Sequence, residues 1–210
     1  DVTFALDRAG LVGEDGSTHS GNYDIAYLRC IPNIILMTPS NENETRLLLT
    51  TAFKHKGPAA VRYPRGTGPN ASVSSDLENI EIGKAKVVRE SKSNVVFLNF
   101  GALLDNAIEV SEKMDFTLID MRFVKPLDHE ILKKYLSKAD YFVSLEDGSI
   151  AGGAGSAVQE FCSIESIDIK SILLGIPDRF IEHSSREEML ESANLSVAKI
   201  LDRLKPLLGK

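Results

Sequence analysis

The chain has 210 residues, 43% of them apolar and 26% charged, with a formal net charge of −6. That is enough chain for one large domain or two small ones around a real core, and an acidic balance disfavours nucleic acid as a partner. No apolar run reaches the length that spans a bilayer, so no membrane partner is expected.

The opening "DVTFALDRAG" has no basic start, no apolar stretch and no cleavage site, so it does not read as a signal peptide. It lacks Met and begins inside a strand-like run, which points to a fragment. Cys30 and Cys162 fit no metal or redox spacing. Two lone thiols suit a reducing cytosol, and a cytoplasmic location is expected.

Short apolar runs predict strands at 3–7, 34–38, 59–63, 85–90, 94–100, 116–121, 141–146 and 169–174. Several are continuously apolar, the pattern of strands buried on both faces of a parallel sheet. Between them lie helical patterns. Ser40 is placed to cap a helix with Glu42 and Glu44 in its first turn and Leu47, Leu48, Ala52 and Phe53 at core-facing spacing. Lys54, His55 and Lys56 fall in its last turn and Gly57 stops it. Further helices are expected over 103–114, 128–136 and 195–205. Strand-then-helix alternation predicts an α/β fold with mostly parallel sheets.

The segment "GTGPNASVSSDLEN" (66–79) has no apolar period and is rich in Gly, Pro, Ser and Asn. It reads as a linker, dividing the chain into 1–65, a linker at 66–80, and 81–210. The first part holds too few elements for a closed doubly wound sheet and reads as the second half of a domain. The last part reads as complete.

In open α/β sheets ligands bind at the carboxyl ends of strands. The loop "LVGEDGSTHSG" (11–21) follows the first strand and carries Asp15 and His19 four residues apart. An imidazole there exchanges protons near neutral pH, and a carboxylate accepts bonds from substrate hydroxyls. A plain turn, with Asp15 and Thr18 serving local backbone, fits the spacing equally well. Arg8 follows the first strand and Arg65 the third, so both are placed to face one crevice, where two forked guanidiniums suit a phosphate; a pair of plain surface arginines fits the same positions. Arg62, inside a strand, reads as structural.

The glycine-rich "EDGSIAGGAGSAVQEF" (146–161) has the strand–loop–helix order of an anion cradle but lacks the full dinucleotide or Walker spacing, and tight strand-to-helix packing is the expected reason for its glycines. His55 reads as a helix-end cation and His129 as a helix-start residue. His183 has no assigned role.

Taken in order, "DRAGLVGEDGSTHSGNYDIAYLRCIPN", "TPSNENE", "GPAAVRYPRG", "LNFGALL", "DMRFVKPLD", "GGAGSAVQE" and "GIPDRFIEH" resemble the 1-deoxy-D-xylulose-5-phosphate synthases of the transketolase superfamily. The resemblance runs from residue 3 to beyond 200. It implies part of a pyrimidine-binding parallel-sheet domain followed by a complete transketolase C-terminal α/β domain. It also implies an enzyme dependent on thiamine diphosphate and Mg2+ that condenses pyruvate with glyceraldehyde 3-phosphate, releases CO2, feeds isoprenoid, thiamine and pyridoxal synthesis, and works as a homodimer.

Carried over by position, Arg8 and Arg65 correspond to holders of the acceptor phosphate, and Asp15 and His19 to the pair beside the reacting carbons. The diphosphate- and metal-binding domain, its acidic metal motif and the glutamate that activates the cofactor have no counterpart here. The fragment is therefore expected to bind no cofactor or metal and to be inactive without the N-terminal part of the same polypeptide. A transketolase, a 2-oxo acid dehydrogenase β-subunit and a non-catalytic dimerisation module are the competing readings.

Overall fold

The computed structural model describes residues 1–207, which form two sheets and seven helices among the described residues. In chain order the elements are β1 (Val2–Leu6), α1 (Asp24–Leu28), β2 (Ile35–Met37), α2 (Glu42–Lys54), β3 (Pro58–Arg62), β4 (Lys86–Arg89), β5 (Val95–Phe100), α3 (Leu104–Met114), β6 (Thr117–Asp120), β7 (Phe123–Lys125), α4 (His129–Leu136), β8 (Tyr141–Ser149), α5 (Ala154–Ile164), β9 (Lys170–Ile176), α6 (Arg186–Ser192) and α7 (Val197–Leu204). A 3-10 turn covers Gly13–Asp15.

The first sheet has the order β1-β3-β2-β7 and the second β4-β6-β5-β8-β9. Pairing is parallel except at β7 on β2 and β4 on β6. The expected α/β class with mostly parallel sheets is what the molecule has. Strand β5 (VVFLNF) is buried at every residue, which is why its sequence does not alternate.

Three of the differences from the sequence reading concern the first sheet and its helix. The first concerns α2, which is capped by Asn41, whose side chain accepts from Glu44 N at 3.0 Å. Ser40 instead donates to Asp120 at 2.7 Å across a buried contact. The second is Phe53, placed at core-facing spacing but 85% exposed. The third is β7, a three-residue strand from the later part of the chain that adds antiparallel to β2.

The segment 66–80 is an extended strap fastened along α2. Glu42 accepts from Asn70 N at 2.9 Å and Ala71 N at 3.2 Å. Arg46 donates to Ser75 O at 2.7 Å, and Thr51 Oγ1 accepts from Ile80 N at 2.8 Å.

One core joins the two sheets: Ile25, Leu36 and Ala60 of the first half pack with Val96, Leu98, Phe100, Ile119 and Phe142 of the second. Behind the second sheet, Phe97, Val110, Val143 and Ile200 form another core. Leu11, from the loop after β1, is part of it. Burial of apolar surface in the core between the sheets is the main favourable term holding the halves together.

Candidate active site at the carboxyl ends of β1 and β3

Strands β1 and β3 pair in parallel with Leu6 opposite Arg62. Their exits stay side by side, because Tyr63 N donates to Leu6 O at 2.9 Å and Ala9 N donates to Tyr63 O at 3.0 Å. This brings Arg8 and Arg65 together although 57 residues separate them. Pro64 holds the chain direction between the strand and Arg65.

Both guanidiniums meet on Asp15. Arg8 Nε donates to Asp15 Oδ2 at 3.2 Å, and an Arg65 terminal nitrogen lies 2.5 Å from Asp15 Oδ1. Arg8 also donates to Asp7 Oδ2 at 2.5 Å. The bond to Asp15, then the charge of Asp7, hold the Arg8 guanidinium above its ordinary value. Asp7 was not singled out from sequence, and an acid directly before Arg8 in "LDRAG" is the signal that could have found it.

His19 is exposed, two turns of the loop away. Its Nδ1 lies 3.0 Å from Thr18 Oγ1, and its backbone N–H donates to Gly16 O at 3.2 Å. The structure thus brings Arg8 and Arg65 each onto Asp15 and sets His19 on the same loop without a direct bond to them.

Below the loop, Arg62 is fully buried. It donates from Nε to Asp24 Oδ2 at 2.7 Å, through a second nitrogen to Asp147, and from a third to Gly21 O at 3.0 Å. Burial works against its charge, but the attraction of Asp147 and Asp24 outweighs that and holds the guanidinium above its ordinary value.

The glycine-rich loop before α5 cradles a buried side-chain carboxyl. Glu146 accepts from Ala154 N at 2.8 Å and Gly155 N at 2.9 Å. A Cβ at Gly153 would overlap the Glu146 carboxylate, so the helix start is closed to an outside ligand.

The donor set at the loop, two guanidiniums with a carboxylate and an imidazole, fits an anionic, hydroxylated substrate. It does not fit a diphosphate with its metal: no group of three or more His, Cys, Asp or Glu side chains among the described residues is placed to hold a metal ion. No helix of the described residues is long and apolar enough to cross a membrane.

Comparison with known proteins adds to this geometry. The chain is 53% identical over 200 residues to the 1-deoxy-D-xylulose-5-phosphate synthase of Stutzerimonas stutzeri, covering 95% of this chain and 32% of that protein. It is 50% identical over 210 residues to the synthase of that name from Pseudomonas entomophila, covering 100% and 33%. The chain therefore spans about a third of the length of the curated relatives it matches.

Among solved structures, it is similar to a split-gene transketolase described as an inactive β4 tetramer, with a TM-score of 0.84 and 27% identity over 99% of this chain and 66% of that one. It shares its fold with the transketolase of Campylobacter jejuni, with a TM-score of 0.71, 20% identity and coverage of 97% and 31%. The family model of the transketolase pyrimidine-binding domain matches residues 1–70 and that of the transketolase C-terminal domain matches residues 83–200, so the chain belongs to the transketolase family.

Proposed function

We propose that this chain is the C-terminal part of a thiamine-diphosphate-dependent 1-deoxy-D-xylulose-5-phosphate synthase, divided at 66–80 between its pyrimidine-binding and C-terminal domains. The observation that carries the reading is the convergence of Arg8 and Arg65 on Asp15. An acceptor without a phosphate would not need two guanidiniums at one crevice. The cofactor would supply the decarboxylating chemistry, and its diphosphate and Mg2+ would be held by the remaining two thirds of the polypeptide, since the residues described here do not fit a diphosphate with its metal.

In this reading the acceptor phosphate of glyceraldehyde 3-phosphate takes the two arginines from Asp15. The carboxylate so released accepts a hydrogen bond from a substrate hydroxyl. His19 exchanges a proton with substrate oxygen through Nε2, its Nδ1 being engaged with Thr18.

The test is complementation. This chain is mixed with the N-terminal two thirds, thiamine diphosphate, Mg2+, pyruvate and glyceraldehyde 3-phosphate, and CO2 release is followed. Turnover that needs both pieces and the phosphorylated acceptor is expected. Assembly without turnover would support a non-catalytic module and overturn the reading.

A further inference from the structure

We propose that Asp147 and His183, both from the later half of the chain, are positioning residues that hold the loop carrying Arg8, Asp15 and His19. The proposal deepens the functional reading above and rests on it for the identity of the site. The support is at two places, the neck of the loop and its tip.

At the neck, Gly21 N donates to Arg8 O at 2.8 Å and Gly10 N donates to Gly21 O at 3.0 Å, closing the loop on itself. The Gly21 carbonyl also receives Arg62, whose charge Asp147 balances from below. Asp147 lies directly under Gly10: a Cβ there would stand 2.8 Å from its Oδ2, and Gly10 adopts φ +73°, so only glycine fits. Ser149 N, on the same strand as Asp147, donates to Asn22 O at 2.6 Å just past the neck. Asp147 therefore supports a carbonyl and a glycine that between them set where Arg8 leaves the sheet.

Leu11, 3% exposed, anchors the next step of the loop in the core with Ile181 and Met189. At the tip, Gly13 faces the backbone of Ser184 and Arg186, with a Cβ position 3.6 and 3.7 Å from Ser184 O and Arg186 N. Gly16, at φ +71°, lies against His183, whose Cβ would be 3.1 Å from a Cβ at Gly16. Gly16 O then accepts from His19 N, so the contact with His183 is passed to His19 through one residue. Asp15 and His19 are suspended between these two supports. A displacement of about 1 Å at such groups costs on the order of a hundredfold in rate.

The experiment uses the full-length polypeptide carrying Asp147→Asn or His183→Gly, the latter because the contact with Gly16 is made by the His183 Cβ. Backbone hydrogen exchange of the peptide covering 8–21 is read by mass spectrometry beside steady-state kinetics. Each variant is expected to speed exchange in 8–21 at least tenfold while β5 and α3 keep their protection. Each should lower kcat at least tenfold and raise the KM for the phosphorylated acceptor, which Arg8 holds, while the KM for pyruvate stays within twofold of the parent. Asp147 is buried in a charge cluster, so a loss of protection throughout the Asp147→Asn chain reports general destabilisation; His183 is exposed, and its variant then decides. Unchanged exchange in 8–21 for His183→Gly, or a loss of kcat with an unperturbed loop, overturns the proposal. Failure of the parent enzyme to use a phosphorylated acceptor would sink the functional reading alone, because the exchange measurement does not depend on the substrate.

Discussion

Asp15 bridges Arg8 and Arg65, one carboxylate oxygen to each, so the loop after β1 and the exit of β3 are tied by a single side chain. The arginine side chains are 37% and 51% exposed, and pairs this open to water contribute roughly 0–1 kcal/mol. A phosphate dianion with three acceptor oxygens can therefore displace the carboxylate. Replacing Asp15 by Asn is expected to tighten binding of inorganic phosphate by about fivefold, the equivalent of ~1 kcal/mol, as read by calorimetric titration. Weaker phosphate binding in that variant would show that Asp15 helps to build the anion site instead of occupying it.

Arg65→Ala should act in the opposite direction. Loss of one charge-assisted pair is expected to raise the KM for the phosphorylated acceptor by roughly 2 kcal/mol, about thirtyfold. Pyruvate KM should stay within twofold. An equal rise for both substrates would refute the phosphate role.

The neck of the loop makes Gly10 hard to replace. Ala at this position adopts a left-handed backbone at a cost of roughly 1–2 kcal/mol and overlaps the Asp147 carboxylate for a further ~1–3 kcal/mol. Urea unfolding of Gly10→Ala should show a loss of about 2–5 kcal/mol. A loss below 1 kcal/mol would mean that Asp147 moves aside freely.

Arg62 tests the buried charges directly. Arg62→Met leaves Asp24 and Asp147 buried without their cation and should cost about 3–5 kcal/mol. Neutralising both acids in the same chain, as Asp24→Asn and Asp147→Asn, should recover more than half of that, because the penalty lies in the unpaired charges. If the triple variant is no more stable than Arg62→Met, the loss comes from packing.

Most of this framework is legible in the sequence. Continuous apolar runs mark β5 and β8, and the exits of β1 and β3 can be paired once a parallel sheet is inferred. Arg8 and Arg65 follow from strand ends alone. What was hidden depends on partners far along the chain. Arg62 reads as structural, but its acids lie 38 and 85 residues away, and no spacing rule links them. Strand β7 is too short for a period, and it exists because β2 offers it an edge. Ser40 looks like a helix cap until Asp120, 80 residues on, claims its hydroxyl. The loop's support from His183 is equally silent in sequence, since it is expressed only in the glycine at position 16.

Glu146 gives the fold a pH dependence of definite sign. Burial pushes its carboxyl up to about 7, against the pull of the Gly155 and Ala154 amides and of Arg62. Burial likewise pushes Asp120 up to about 6, opposed by Ser40. A folded value above the unfolded one means that the native state holds the proton more tightly. The stabilising contribution is present below the unfolded value near 4.5 and is lost as pH rises through about 7. For Glu146 the span corresponds to a loss on the order of 3 kcal/mol. Urea unfolding between pH 4.5 and 7.5 should show stability falling with pH on this account, with an additional, earlier fall from Asp120. In Glu146→Gln the titrating group is gone, so the later part of the fall, between about pH 6 and 7, should flatten. A slope unchanged by that substitution would place the titration elsewhere and leave the Glu146 carboxylate charged beneath the first turn of α5 throughout the range.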